Sequence, residues 1–249
     1  MQALQSSLPR LLSRHKRLTN SSVLLTHLST CLSLRQRREK HPELLYPAAP
    51  STNHHDIASF LAYANRTGLD VASTVYVGTH YEYTVSSTLA QYGIHAVRVG
   101  GVSDQGIDLL GTWKLPSQTD NMKVILQCKA GAQRVGPSQV RELEGSFVGA
   151  PVGWRGEGVI AFLVSEKPAS KGVRESLGRS RWPMGFISCS REGAVQQMLW
   201  NQRADEEGLR GVGVTMRHVE DGKGESQIVL THNGKRILNC PKAEVSEGN

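Results

Sequence analysis

An α/β fold is the class that the sequence predicts, with a central sheet flanked by helices and an antiparallel hairpin at the C-terminal end. Three observations predict it. Segments with apolar residues at helical spacing alternate along the chain with segments of strand length. The run Gly158-Val159-Ile160-Ala161-Phe162-Leu163-Val164 is continuously apolar, as expected of a strand covered on both faces. Near the C-terminus Val212, Val214 and Met216 alternate with polar residues, and Asn233-Gly234 follows as a strong signal for a tight hairpin turn.

Composition narrows the class of protein. The 249 residues suit one substantial domain, with 39% hydrophobic and 20% charged residues. No apolar run approaches the roughly 20 residues that span a bilayer, so no membrane helix is expected. A net charge of +7 suggests a nucleic-acid binder until its position is read. Arg10, Arg14, Lys16, Arg17, Arg35, Arg37 and Arg38 lie within residues 1–38, where Asp and Glu are absent, so the rest of the chain is formally neutral. Leu11-Leu12, Leu24-Leu25 and many Ser and Thr accompany them. This Arg-rich, acid-poor, hydroxyl-rich composition reads as a mitochondrial transit peptide over residues 1–40, addressing the chain to the matrix. A basic arm that touches nucleic acid directly is the alternative. Cys31, Cys128, Cys189 and Cys240 are scattered without a CxxC pair, which points to reduced thiols rather than a zinc site or disulfide framework.

Residues 41–54, with Pro42, Pro47 and Pro50, read as a linker, and the adjacent His54 and His55 as surface residues. The domain is expected over residues 55–240, with a frayed tail over 241–249. Ile57, Phe60, Leu61 and Ala64 give an amphipathic helix over Asp56–Thr67, closed by Gly68. A second helix over Val75–Tyr92 carries the stripe Tyr81, Val85, Leu89 and Tyr92. Glu82 lies one residue off that stripe, and periodicity alone makes it a solvated glutamate. Ile94–Val99 reads as a strand with Ile94, Ala96 and Arg98 on one face. The turn over 100–106 holds three glycines with Ser103 and Asp104, and Asp104 suits an Asx-turn better than a metal.

Asp108 enters the next short strand, Ile107–Gly111. An acid within that apolar series needs a partner, either a divalent cation or Lys129. Gln127 and Lys129, two apart on the strand Met122–Lys129, share a face. If the two strands are neighbours, Asp108, Gln127 and Lys129 meet at one sheet end. A carboxylate, an amide oxygen and an ammonium together suit a hard cation beside a phosphate. Gly136-Pro137-Ser138 then starts a helix with Val140, Leu143 and Phe147 inward. Ser170–Arg181 reads as a helix, Met184–Ser188 as a strand, and Glu192–Arg203 as a helix with Val195, Met198 and Leu199 inward. Glu220-Asp221-Gly222 turns the C-terminal hairpin, which should extend the main sheet. No GxSxG elbow, GxxxxGK[ST] loop or HExxH pair is present. Cys128 is read as packing on the opposite sheet face rather than as a nucleophile.

Glu82, Gly100-Gly101, Asp104-Gln105-Gly106-Ile107-Asp108-Leu109 and Gln127-Cys128-Lys129 resemble the restriction-endonuclease-like PD-(D/E)XK nuclease superfamily. The likeness is to its Mrr-like branch, where Gln stands first in the (D/E)XK element, and it covers about residues 74–165. With the leader, the whole chain resembles the fungal mitochondrial family called "required for respiratory growth protein 7". The resemblance implies a mixed central sheet of restriction-endonuclease-like form. It also implies Mg²⁺ or Mn²⁺ held by Asp108, Gln127, the Cys128 carbonyl and, through water, Glu82, with Lys129 orienting the attacking water. Asp108, Gln127, Lys129 and Glu82 would thus be the catalytic set. The implied partner is DNA, branched or damaged, in mitochondrial genome maintenance and respiratory growth. Two copies acting as a homodimer would serve the cutting of two strands. Lys129, Arg155, Lys167, Lys171 and Arg174 are candidates for the nucleic-acid backbone, against an ordinary solvated surface interleaved with Glu157, Glu166 and Glu175. The alternative function is a catalytically inactive nuclease-fold module that binds nucleic acid or a mitochondrial partner.

Overall fold

Caps fix the helices that carry the site. In the computed structural model, which describes residues 44–100, 106–116, 118, 120–217 and 227–237, helix α1 (Ile57–Thr67) is capped by Asp56. Its side chain accepts the Ser59 amide at 2.7 Å. Gly68, at φ 66°, closes the helix in the left-handed conformation. Helix α2 (Thr74–Ala90) starts at Ser73 and buries Tyr81, Val85 and Leu89, the predicted stripe. Strands β1 (Ile94–Arg98), β2 (Leu109–Trp113) and β3 (Met122–Lys129) follow as an antiparallel meander. Helix α3 (Pro137–Gly149) crosses to β4 (Val159–Ser165), and α4 (Lys171–Arg179) crosses to β5 (Met184–Cys189); both crossovers give parallel pairs.

The product is a mixed six-stranded sheet in the order β1-β2-β3-β4-β5-β6, with β6 (Val195–Trp200) antiparallel to β5. Every residue of β4 is buried, as its apolar run predicts. Ile160, Phe162 and Val164 join Tyr81, Val85 and Leu89 on the α2 face. Val159, Ala161 and Leu163 join Val140, Leu143, Val173 and Leu177 on the face covered by α3 and α4. Each buried Val, Leu, Ile or Phe among them stabilises the fold by about 1.5–3 kcal/mol relative to exposure.

Three expectations are corrected. Val195, Met198 and Leu199 lie on strand β6, not on a helix; the helical residues that follow it are a short turn, α5 (Gln202–Ala204), and a π-helical turn over Asp205–Leu209. The reason is a bulge. Ser188 pairs with Gln197 but Cys189 pairs with Val195, so Gln196 is extra and Val195 and Met198 share the α2-side core. Apolar residues three apart on one face imitate helical spacing.

The C-terminal strands β7 (Val212–Arg217), β8 (Gln227–His232) and β9 (Lys235–Arg236) form their own antiparallel sheet instead of extending the first. Their apolar side, Val212, Ile228 and Leu230, packs into the α2-side core, so burial rather than edge pairing attaches them. The Asn233-Gly234 turn is as predicted, with both residues at positive φ, while Glu220-Asp221-Gly222 lies outside the described residues.

His54 is buried, not a surface residue. The Tyr83 hydroxyl donates to its carbonyl at 3.1 Å and lies 2.8 Å from its Nδ1, and the Phe60, Tyr63 and Tyr83 rings surround it. His55 is exposed. Leu45 and Tyr46, in the stretch read as linker, lie on Trp154, whose Nε1 donates to the Leu45 carbonyl at 3.0 Å. The predicted leader, Asp104 and the tail fall outside the described residues. No helix among the described residues is long and apolar enough to cross a membrane.

Candidate functional site

The antiparallel register places the start of β2 beside the end of β3, so Asp108 sits next to the Gln127-Cys128-Lys129 element. Backbone bonds fix Asp108 on both sides. Its amide donates to the Leu126 carbonyl at 3.0 Å, and its carbonyl accepts from Val99 and Gly100 at 2.9 Å each. Its side-chain Oδ2 accepts the Cys128 amide at 2.5 Å. The carboxylate is thereby held against the residue between Gln127 and Lys129.

Gln127 is 1% exposed. Its Nε2 donates to Glu142 Oε1 at 2.6 Å, and Lys129 Nζ donates to the same oxygen at 2.9 Å. Glu142, on α3, therefore orients both side chains. Because the amide nitrogen is committed to that carboxylate, Gln127 Oε1 is turned away from it, buried and without a hydrogen-bond partner among the described residues. A buried amide oxygen left unsatisfied costs about 1–3 kcal/mol. Gly106 approaches from the loop before β2 at φ 78°, and a Cβ there would stand 2.8 Å from Gln127 Nε2. Only glycine meets both demands.

Glu82 is presented by α2 on the other face of the sheet. It forms a short ion pair with Arg98 of β1, both side chains about one-seventh exposed. The two faces meet at Cys128. Its thiol packs against the α2-side core, and its pKa is pushed well up, first by burial and then by the carboxylates of Asp108 and Glu82. The thiol stays protonated at neutral pH, which agrees with the packing role expected of it. The sheet thus brings Asp108, Gln127 and Lys129 to one end, and Glu82 reaches that end from the opposite face.

These donors are oxygens of the kind a hard cation takes: the Asp108 carboxylate, the unpartnered Gln127 Oε1 and the backbone beside them. Among the described residues no group of three or more His, Cys, Asp and Glu is arranged to hold a metal. A cation here would draw on the amide and a backbone carbonyl as well as on carboxylates.

The basic candidates divide between two ends of the molecule. Ser165, the last residue of β4, pairs with Lys129, so Lys167 and the start of α4, with Lys171 and Arg174, lie at the Asp108 end. Lys171 faces Glu175 at 3.8 Å. Arg155 precedes Val159, which pairs with Lys123, and is therefore at the far end of the sheet, where its Nε donates to the Ala150 carbonyl. Sequence reasoning missed Glu142, Arg98 as partner of Glu82, and Arg191. A signal existed for the first: Glu142 stands one residue off the stripe Val140, Leu143 and Phe147, the border position that Glu82 occupies on α2.

The family described as "Required for respiratory growth protein 7" matches residues 73–121 and 116–217, which include every one of these site residues. The chain belongs to that family. A protein of Schizosaccharomyces pombe described as an uncharacterized mitochondrial protein is 30% identical over 158 residues, covering 62% of this chain and 62% of the relative. The "Required for respiratory growth protein 7, mitochondrial" of Vanderwaltozyma polyspora is 30% identical over 118 residues, covering 30% of this chain and 47% of the relative. The chain thus spans less than two thirds of the length of either relative.

Proposed function

We propose that this member of the respiratory-growth family is a mitochondrial, metal-dependent deoxyribonuclease with a restriction-endonuclease-like site. It acts on DNA ends, branches or damaged DNA in the genome maintenance that respiratory growth requires. The relatives' names support the compartment and the growth role. One observation supports the chemistry above all: Asp108 is clamped by the Cys128 amide beside a buried Gln127 oxygen that has no partner among the described residues, with the Lys129 ammonium one residue on. A cation would satisfy the Gln127 oxygen, and a phosphate would add a contact to the Lys129 ammonium that Glu142 already orients.

Asp108, Gln127 Oε1, the Cys128 carbonyl and, through water, Glu82 would hold the cation. Mg²⁺ or Mn²⁺, when bound, supplies a water of lowered pKa and neutralises charge on the phosphate. The chain's own groups do the rest. Lys129 binds a non-bridging phosphate oxygen and orients the water lone pair toward phosphorus. Glu142 holds Lys129 in place through a charge-assisted bond and fixes the Gln127 amide so that oxygen, not nitrogen, faces the site. Hydrolysis forms one P–O bond to water and breaks the P–O bond to a sugar oxygen, which leaves with a proton. With one carboxylate replaced by Gln127, charge at the site is low, so these residues would hold a cation fully only beside a phosphate.

The pairing of Glu82 with Arg98 favours a second reading, an inactive nuclease-fold module that binds nucleic acid or a mitochondrial partner. One experiment separates them. Purified protein is offered linear, nicked and branched DNA with Mg²⁺ or Mn²⁺, beside Asp108→Ala and Lys129→Ala. We expect cleavage by the wild type and a loss of at least about 100-fold in either variant, the scale of removing one transition-state contact. A wild type inert on all substrates, with respiratory growth intact in the Asp108→Ala strain, assigns the protein to the second reading.

A further inference from the structure

A concavity of about 190 Å³ opens beside the proposed site, lined by Val71, Tyr76, Val77, His80, Tyr81 and Arg191. Its place is fixed by three bonds. The Tyr81 hydroxyl donates to the Cys189 carbonyl at 2.8 Å, which ties the concavity to the end of β5, and Tyr81 is the residue before Glu82. Glu166 accepts the Gly131 amide at 2.6 Å, just beyond Lys129, and the Arg191 Nε at 2.7 Å. One carboxylate thus joins the loop after the Gln127-Cys128-Lys129 element to the cationic rim of the concavity.

The walls are of unusual composition for a surface that only solvates. Tyr76 and His80 stack with their planes 16° apart and centroids 5.8 Å apart, giving a two-ring wall one helical turn long. Val71 and Val77 give apolar contact, and Val71 is largely exposed. The Arg191 guanidinium, half exposed, is steadied through its Nε by Glu166. Aromatic faces, a short aliphatic wall and one oriented guanidinium are the parts that hold an unstacked nucleobase and its phosphate. A double helix keeps its bases stacked inward and presents no face to such a wall.

We propose that this concavity takes one unpaired nucleobase of the DNA whose phosphodiester lies at the Asp108 end, making single-stranded tails, flaps or unpaired junctions the preferred substrate. The inference rests on the nuclease reading for its geometry, but binding can be measured without cleavage. The rings of Tyr76 and His80 supply stacking, and Arg191 supplies a contact to the adjacent phosphate.

The test uses the full chain carrying Asp108→Ala, so that no DNA is consumed. Fluorescence anisotropy compares a single-stranded 20-mer, the same strand with abasic residues, and the blunt duplex, in the parent and with Tyr76→Ala, Tyr76→Phe and Arg191→Ala added. Loss of one stacked base should weaken single-strand binding about 5- to 100-fold in Tyr76→Ala. Tyr76→Phe, which keeps the ring, should bind within about twofold of the parent. The abasic strand should bind as weakly to the parent as the normal strand binds to Tyr76→Ala, and duplex binding should not change. Equal affinity for the abasic and normal strands overturns the proposal, as does an unchanged Tyr76→Ala. Tyr76 also packs on Phe60, so the abasic strand keeps the test valid if Tyr76→Ala unfolds. Ring-dependent single-strand binding by a protein whose wild type never cleaves would sink the nuclease reading and leave this site standing. Asp108-dependent cleavage without strand preference does the reverse.

Discussion

Glu142 is the residue on which the site's order depends, because one of its oxygens receives both the Gln127 amide and the Lys129 ammonium. Glu142→Gln keeps the size and removes the charge. Lys129 and Glu142 are one-third and nearly one-half exposed, so their ion pair contributes at most about 1 kcal/mol to folding. The proposed catalysis would be less forgiving, since a shift of about 1 Å in a positioned group lowers rate by up to about 100-fold. We expect Glu142→Gln to melt within a few degrees of wild type while kcat for DNA cleavage falls about 10- to 100-fold and KM changes little. Equal kcat would show that Lys129 needs no such support. Asp108, Gln127 and Lys129 were legible because strand alternation and an acid among apolar residues are visible in one segment at a time. Glu142 and Arg98 were not. Each acts across the fold on a side chain remote in sequence, and a lone Glu or Arg at a helix or strand border has the same local pattern whether or not it has such a partner.

At the scale of elements, caps and apolar stripes made α1, α2, α3 and α4 readable, and the buried run made β4 readable. β6 was misread because a bulge is a property of pairing with β5, which no single segment displays. The packing of α1 on α2 through His54 was likewise hidden, since paired histidines after prolines look solvated. That packing carries a pH dependence. Burial first, then the charges of Arg98 and His55, lower the His54 pKa, and the Tyr63 and Tyr83 rings close the site. Above about pH 6.5, the ordinary value, His54 is neutral folded and unfolded and costs nothing. As pH falls below that value the unfolded chain takes up a proton that the fold resists, so stability declines and levels off below the lowered folded pKa. His54→Gln should cost about 1–3 kcal/mol at pH 7.5, where the Tyr83 hydroxyl loses a buried contact. Urea midpoints at pH 7.5 and 5.5 check the sign: the gap between wild type and His54→Gln should narrow at the lower pH. A gap that widens would mean that the imidazolium is the form the fold prefers.

For the whole molecule, the distribution of charge limits how DNA would be held on the proposed reading. Residues after 38 are formally neutral, so attraction to phosphate must come from a local patch rather than from the net field. The topology gathers Lys129, Lys167, Lys171, Arg174 and Arg191 at the Asp108 end and leaves Arg155 at the other. Glu166 and Glu175 offset part of that patch through ion pairs with Arg191 and Lys171. Few phosphates can therefore be neutralised at once. Each one contributes about −0.9 to the slope of log affinity against log salt on duplex DNA, so a chain starting at residue 44 should show a slope of about −2 to −4. Lys167→Ala or Arg174→Ala should make that slope about one unit shallower with similar losses on unrelated sequences, the mark of a phosphate contact. Arg155→Ala, at the wrong end of the sheet, should leave it unchanged. The seven cations before residue 39 give the converse control, because the full chain should bind more steeply with salt if they touch DNA and identically if they serve only as an address. A slope that responds to Arg155 and ignores Lys167 and Arg174 would place the nucleic acid at the opposite end of the sheet, away from Asp108, and separate DNA binding from the proposed chemistry.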